Sequence, residues 1–160
     1  MKLVYTIALP LLLSVCAWGQ TVPDPPKYWV AAGVGWNHYS NLQALGWVNG
    51  GAQVTTNNYI MTSIDMTSQN ASIRASYARV LSRKGAWGLL ALGDGGILTG
   101  ESSVTGVFGP GGAITYDISR IVRSEGMHLV FVCRVLKSGF NDGPLNEVKP
   151  VFQIGIGKSF

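Results

Sequence analysis

Residues 70–80 read NASIRASYARV. In an extended chain successive side chains point to opposite faces, so Ile73, Ala75 and Tyr77 share one face while Ser72, Arg74 and Ser76 share the other. The apolar face alone is ordinary for a β-strand. The polar face decides the fold, because it sets one arginine among small hydroxyl residues where a soluble sheet would carry a densely charged surface. An isolated charge of this kind suits a narrow interior in which it is paired, and the apolar face must then meet something other than water.

The same pattern recurs along the chain. In YIMTSIDMT (59–67) Ile60, Ile64 and Met66 oppose Ser63 and Asp65, and in AITYDISRIV (113–122) Ile114, Tyr116 and Ile118 oppose Thr115, Asp117 and Ser119. MHLVFVCRVL (127–136) sets Leu129, Phe131, Cys133 and Val135 against His128, Val130, Val132 and Arg134. YWVAAGVGWNHY (28–39) puts Tyr28, Val30, Ala32, Val34 and Trp36 on one side and Trp29, Ala31, Gly33, Gly35 and Asn37 on the other. Counting further alternating stretches at about 45–54, 71–82, 86–97 and 149–160, with the fifth-to-sixth connection followed by a strand at 112–122, the pattern predicts eight strands. Asp65, Arg74, Asp94, Asp117 and Arg134 are expected to face inward and to pair with one another.

Composition agrees with an inside-out protein. Of the 160 residues only 12% are charged, against roughly 25% in soluble domains, while 47% are hydrophobic and 21 are glycine. No apolar run in the body of the chain reaches the about 20 residues that a membrane helix needs, whereas a membrane strand needs only about 9–11. Lipid tolerates no open sheet edge, so the strands must close. The expected fold is therefore all-β, an eight-stranded antiparallel up-and-down transmembrane β-barrel. An even strand count leaves both termini on one side. There the turns TTNN (55–58), SRKG (82–85) and VRSEG (122–126) are short, and the opposite rim carries SNLQAL (40–45), SQN (68–70), TGESSVTGVFGPGG (99–112) and GFNDGPLNE (139–147).

The start of the chain supplies the route to a membrane. Lys2, the apolar run from Leu3 to Val15 and the small-x-small triplet Ala17-Trp18-Gly19 read as a secretory signal peptide over residues 1–19, cleaved after Gly19. Residues 20–26 form a Pro-rich linker, and residues 27–160 the barrel. Loss of Cys16 with the signal leaves Cys133 alone, so no internal disulfide is expected. His38 and His128 are the only histidines and no cysteine pair has ligand spacing, so neither metal nor cofactor is expected. A formal net charge of +4, scattered along the chain, gives no reason to expect nucleic acid as a partner.

The last ten residues, VFQIGIGKSF, place Phe152, Ile154 and Ile156 in phase with Phe160, opposite Gln153, Gly155 and Gly157. This ending resembles the C-terminal assembly signal of bacterial outer-membrane barrels, with Lys158 as a departure that a snorkelling side chain accommodates. Over residues 27–160 the chain resembles the small OmpA-type and OmpX-type barrels. That resemblance implies the bacterial outer membrane as location, outer-membrane lipids and lipopolysaccharide as surroundings, the barrel assembly machinery as a partner in biogenesis, and a monomer. Aromatic residues near strand ends, among them Tyr28, Trp29, Trp36, Tyr39, Trp47, Tyr59, Trp87, Phe140 and Phe160, fit the expected headgroup girdles.

One short element invites an enzymatic reading. NHYSN (37–41) resembles the His-aromatic-Ser-Asn element of PagL, the lipid A 3-O-deacylase; the resemblance implies His38 as base, Ser40 as nucleophile and Asn41 as oxyanion donor, with Glu147 as an acid reaching over from the closing strand. GIGKS (155–159) is no P-loop, since the required earlier glycine falls at Phe152 and no helix can follow. The expected function is a structural or interaction-bearing outer-membrane barrel without a substantial pore and without enzymatic activity. The lipid A esterase is the alternative, and a soluble exported lipocalin-like binding barrel, with apolar residues pointing inward, the third.

Overall fold

A computed structural model describes residues 27–37, 43–99, 104–138 and 148–160. Eight strands follow in chain order: β1 (Tyr28–Asn37), β2 (Gln43–Thr55), β3 (Asn58–Met66), β4 (Ala71–Lys84), β5 (Trp87–Thr99), β6 (Val104–Asp117), β7 (Met127–Ser138) and β8 (Val148–Ser159). Each pairs antiparallel with its neighbour in sequence, and β8 returns to β1 through a register from Trp29↔Ser159 to Asn37↔Val151. The sheet is a closed barrel with no free edge. A single short helical turn, α1 (Ser119–Val122), joins β6 to β7. No helix among the described residues is long and apolar enough to cross a membrane.

The alternation read from the sequence is the alternation of burial. Along β3 and β4 the outward positions Ile60, Ile64, Met66 and Ile73 are exposed, and the inward positions Met61, Ser63, Asp65, Ser72, Arg74 and Ser76 are buried. β1 and β8 follow suit, with Tyr28, Val30, Val34, Trp36, Phe152 and Ile156 exposed to the outside. The result inverts a soluble protein: Arg74 is 0% exposed and Val34 60%.

The interior is narrow, and glycine makes it passable. A Cβ on Gly155 would come within 2.6 Å of the Trp47 ring, and one on Gly111 within 2.9 Å of Cγ of Arg134. Arg134 thus lies over bare backbone on the adjacent strand, and Trp47 reaches across β1 to bare backbone on β8. This is the physical use of the high glycine content.

Two parts differ from the sequence reading. β6 begins at Val104, so most of the segment expected as a loop (99–112) is strand, and the strand expected over 112–122 ends at Asp117 and gives way to α1. Residues 106–112 look like a loop because, after Val107, their inward positions are Gly109 and Gly111, emptied for β7. A Cβ on Gly109 would collide with the Val135 carbonyl. The β6–β7 ladder is interrupted at Gly109 and Pro110 and resumes in the same register at Gly111↔Arg134, as the missing N–H of proline requires.

On the rim that carries the termini, β2 and β3 are joined through Thr56 and Asn57, and β4 and β5 through Gly85 and Ala86, with Gly85 at φ 59°. The β4–β5 hairpin overshoots β3, whose first residue Asn58 pairs with Arg79. A bulge between Val80 and Ser82 bends that overhang, and Arg83 reaches back to the Tyr59 hydroxyl at 3.0 Å.

Candidate functional site

The lumen is the only place where these strands bring polar chemistry together among the described residues. Its layers can be read along single strands from the terminal rim. β7 presents Val130, Val132, Arg134 and Leu136 inward, and β5 presents Leu90, Leu92, Asp94 and Leu98. Charge therefore occupies one level, with apolar residues on both sides of it.

At that level one hydrogen-bonded chain crosses the barrel. Arg74 donates through Nη2 to Oδ2 of Asp65 at 2.5 Å and through Nη1 to the Ser72 hydroxyl at 3.3 Å. The other Asp65 oxygen accepts from Nε2 of Gln153 at 2.9 Å. Oε1 of Gln153 accepts in turn from Nη1 of Arg134, whose Nε donates to Asp94 at 3.0 Å. The second Asp94 oxygen accepts from the Ser76 hydroxyl. The chain thus runs Ser72, Arg74, Asp65, Gln153, Arg134, Asp94, Ser76 and draws on β3, β4, β5, β7 and β8. Two aspartates balance two arginines, and all four are at most 7% exposed. A buried ion pair persists only where its partners satisfy one another, since a lone buried charge costs several kcal/mol.

Of the five charges expected inside, Asp65, Arg74, Asp94 and Arg134 lie in this network. Asp117 does not. It has the inward parity of Thr115, but it ends β6 at the rim, is exposed, and accepts from the Ser119 backbone N–H at 2.8 Å, holding the turn into α1. Parity assigns a face; height decides whether that face is dry. Gln153, which links the two ion pairs, was legible only as one polar residue of the closing strand.

Between the network and the terminal rim the lumen is hollow. A cavity of about 290 Å³ opens at that rim, walled by Trp47, Met61, Leu92, Ala113, Val130 and Val132. Asn49 lies on its wall, 5% exposed; its Nδ2 donates to the Ser63 hydroxyl at 2.9 Å, and its Oδ1 meets no donor among the described residues. Lys27, Arg83, Asp117 and His128 stand at the mouth, where the His128 ring packs on Trp29 at 5.5 Å between centroids.

Trp47 corrects another expectation. It is buried inside the barrel, 4% exposed, and its indole N–H is shared between the carbonyls of Val34 and Ile154 at 3.2 and 3.3 Å. Trp29 also lines the cavity; Tyr28, Trp36, Trp87 and Phe160 are exposed, as a girdle requires, with Tyr28 and Trp87 bordering the cavity as well. In the closing strand Phe152, Ile156 and Phe160 are exposed and Ile154 is half-buried. His38, Ser40, Asn41 and Glu147, the residues of the esterase reading, lie outside the described residues, as do Tyr39, Phe140, residues 1–19 and residues 20–26. No group of three or more metal-ligating side chains occurs among the described residues.

A closed barrel of eight antiparallel strands, apolar outside and polar at its centre, is the architecture of a small transmembrane β-barrel. Solved structures with this fold include a barrel from the de novo design of transmembrane β-barrels, at 14% identity and a TM-score of 0.58 over 88% of this chain and 99% of that one. Neisserial surface protein A (NspA) matches at 12% identity and a TM-score of 0.58 over 84% of this chain and 97% of its own. The likeness is one of fold, to small transmembrane β-barrels, and does not single out the OmpA or OmpX type. No protein-family model and no curated protein matches the sequence.

Proposed function

We propose that this chain is a small integral barrel of the bacterial outer membrane, exported by a signal peptide over residues 1–19 and acting as a structural or interaction-bearing protein rather than as a pore or an enzyme. The exposed apolar belt formed by residues such as Val30, Val34, Ile60, Ile64, Ile73 and Ile156 carries this reading. In water that surface would be far larger than the few hundred Å² of apolar patch that soluble monomers tolerate. A lipocalin-like barrel would point those residues inward. Against a pore stands the network from Asp65 to Asp94, which spans the lumen with buried side chains bonded to one another. Lipids and lipopolysaccharide are the surroundings such a belt would meet, and the closing strand ending in Phe160 fits recognition by the barrel assembly machinery. A monomer is sufficient because closure leaves no edge to pair.

Cell fractionation with gel mobility before and after boiling tests this. The protein is expected in the outer-membrane fraction, with a mobility that changes on heating, and without resolved conductance steps in planar bilayers. Recovery as a soluble periplasmic protein would refute the membrane reading. Porin-sized steps would refute the closed lumen.

A further inference from the structure

The cavity at the terminal rim differs in character from its mouth to its floor. Its depth is largely apolar, with Trp47, Met61, Leu92, Val130 and Val132 on the walls, and its floor is the Arg134 side chain, already committed to Asp94 and Gln153. A charge carried that far inward would find no countercharge to spare. The mouth is the reverse. Lys27 and Arg83 line it, both exposed, and neither forms an ion pair with a described residue. The backbone N–H of Gln53 bonds to the Lys27 carbonyl, and Gln53 pairs across the sheet with Tyr59, whose hydroxyl takes one N–H of Arg83 at 3.0 Å, so the two cations stand over neighbouring strands. Arg83 keeps the rest of its fork. Across the mouth, the His128 ring packs on Trp29, and Asp117 is held by the Ser119 N–H at 2.8 Å. His128 at the mouth and Arg134 at the floor both line the cavity, and the tilted length of β7 between them makes it roughly 15 Å deep. An eight-stranded barrel has width for one small ligand at most.

We infer that the lumen binds a single-chain carboxylate amphiphile, a fatty-acid anion, which enters tail first from the rim that bears the termini. Its carboxylate stays at the mouth and accepts from Lys27 and Arg83. Its alkyl chain lies along Met61, Leu92, Val130 and Val132, and a second chain would find no width. This site lies inside the barrel and does not depend on the role proposed for its outer surface.

The molecule carries its own control for the test. Met61 and Ala113 line the cavity, whereas Met66 and Ala75 are exposed on the outer face, so methyl NMR of the full barrel in phosphatidylcholine nanodiscs separates lumen binding from partition into lipid. Titration with sodium decanoate in alkaline buffer is expected to give saturable shifts at Met61 and Ala113 and none that saturates at Met66 or Ala75. Lys27→Gln combined with Arg83→Gln should weaken decanoate about ten-fold, the scale of charge-assisted hydrogen bonds at a wetted mouth, and leave the affinity for decanol, which has the same chain and no charge, unchanged. Ala113→Leu keeps both cations but fills the bore, and should remove the Met61 shift, which decides the matter if the double variant fails to fold. Shifts at Met66 and Ala75 equal to those at Met61, no saturable shift in the wild type, decanoate unweakened by the double substitution or weakened no more than decanol, or binding unchanged by Ala113→Leu would each overturn the inference.

Discussion

The two halves of the lumen are built from the same strands and solve the problem of a barrel interior in opposite ways. Toward the rim opposite the termini, Arg74 and Arg134 extend across bare glycine backbone to Asp65 and Asp94, and Gln153 joins the two pairs. Toward the terminal rim, the inward residues are mostly apolar, with Asn49 and Thr115 among them, and stop short of one another, leaving the cavity bounded by Met61, Leu92 and Val132. Long charged side chains can bridge a narrow tube because each finds a partner at its far end. Apolar side chains of ordinary length gain nothing by stretching and leave the middle open. At the level of the ion pairs the lumen is bridged by electrostatics, beyond it Leu45, Leu98, Val107, Leu136 and Val151 are buried by apolar packing, and the hollow lies on the terminal side alone.

That contrast makes ordered predictions. The largest effect should come from breaking the filled half. Arg134→Ala leaves Asp94 buried without its cation, and should lower stability by about 3–5 kcal/mol in urea unfolding from detergent micelles. Replacing both members, as Arg134→Met with Asp94→Leu, should restore much of the loss, because an apolar pair leaves no orphan charge. If Arg134→Ala costs under about 1 kcal/mol, the network does not hold the interior together.

The hollow half should respond differently to added volume. Ala113→Leu places new methyl groups into open space and should change stability by less than about 1 kcal/mol, where the same kind of enlargement in a packed interior costs about 1–3 kcal/mol. Ser76→Leu, in the filled half, removes a hydroxyl bonded to Asp94 and should fall in or above that costlier range in the same assay. Equal penalties at Ala113 and Ser76 would erase the distinction between the halves.

The smallest effect is expected at residues that lie outside the described ones. Replacing His38 and Ser40 with alanine, singly and together, should leave the lipid A of expressing cells unchanged by mass spectrometry and shift stability by less than about 1 kcal/mol. Loss of an acyl chain that requires both residues would instead establish the esterase alternative, with the strong non-additivity of a catalytic unit.

How much of this was legible in the sequence depends on how local each signal was. The alternation around Ile73 and Arg74 is contained in one strand, so the inward set of β3, β4 and β7 could be read without partners. Gly109 and Gly111 could not. They are glycines because β7 lies against them, and a single-strand pattern shows only a stretch resembling a loop. Trp47 was misplaced for a related reason. Its size suggests an outer girdle, yet it fits inside because Gly155, on a strand far away in sequence, has no side chain. Asp117 shows the third limit, since a period of two assigns faces but not depth. The bridging role of Gln153 emerges only when β8 closes on β1 and brings it between Asp65 and Arg134.

The central claim is that the barrel is inside-out, with its paired charges within and its aliphatic residues facing lipid. A nitroxide scan along β7 tests it most directly. With Cys133 first replaced by serine and single cysteines then placed from 129 to 136 in lipid bilayers, oxygen accessibility should alternate with a period of two. It should be high at 129, 131, 133 and 135, where Phe131, Cys133 and Val135 are exposed, and low at 130, 132, 134 and 136, where Val130, Val132, Arg134 and Leu136 are buried. An alternation of opposite phase, or a flat profile along the strand, would contradict the account.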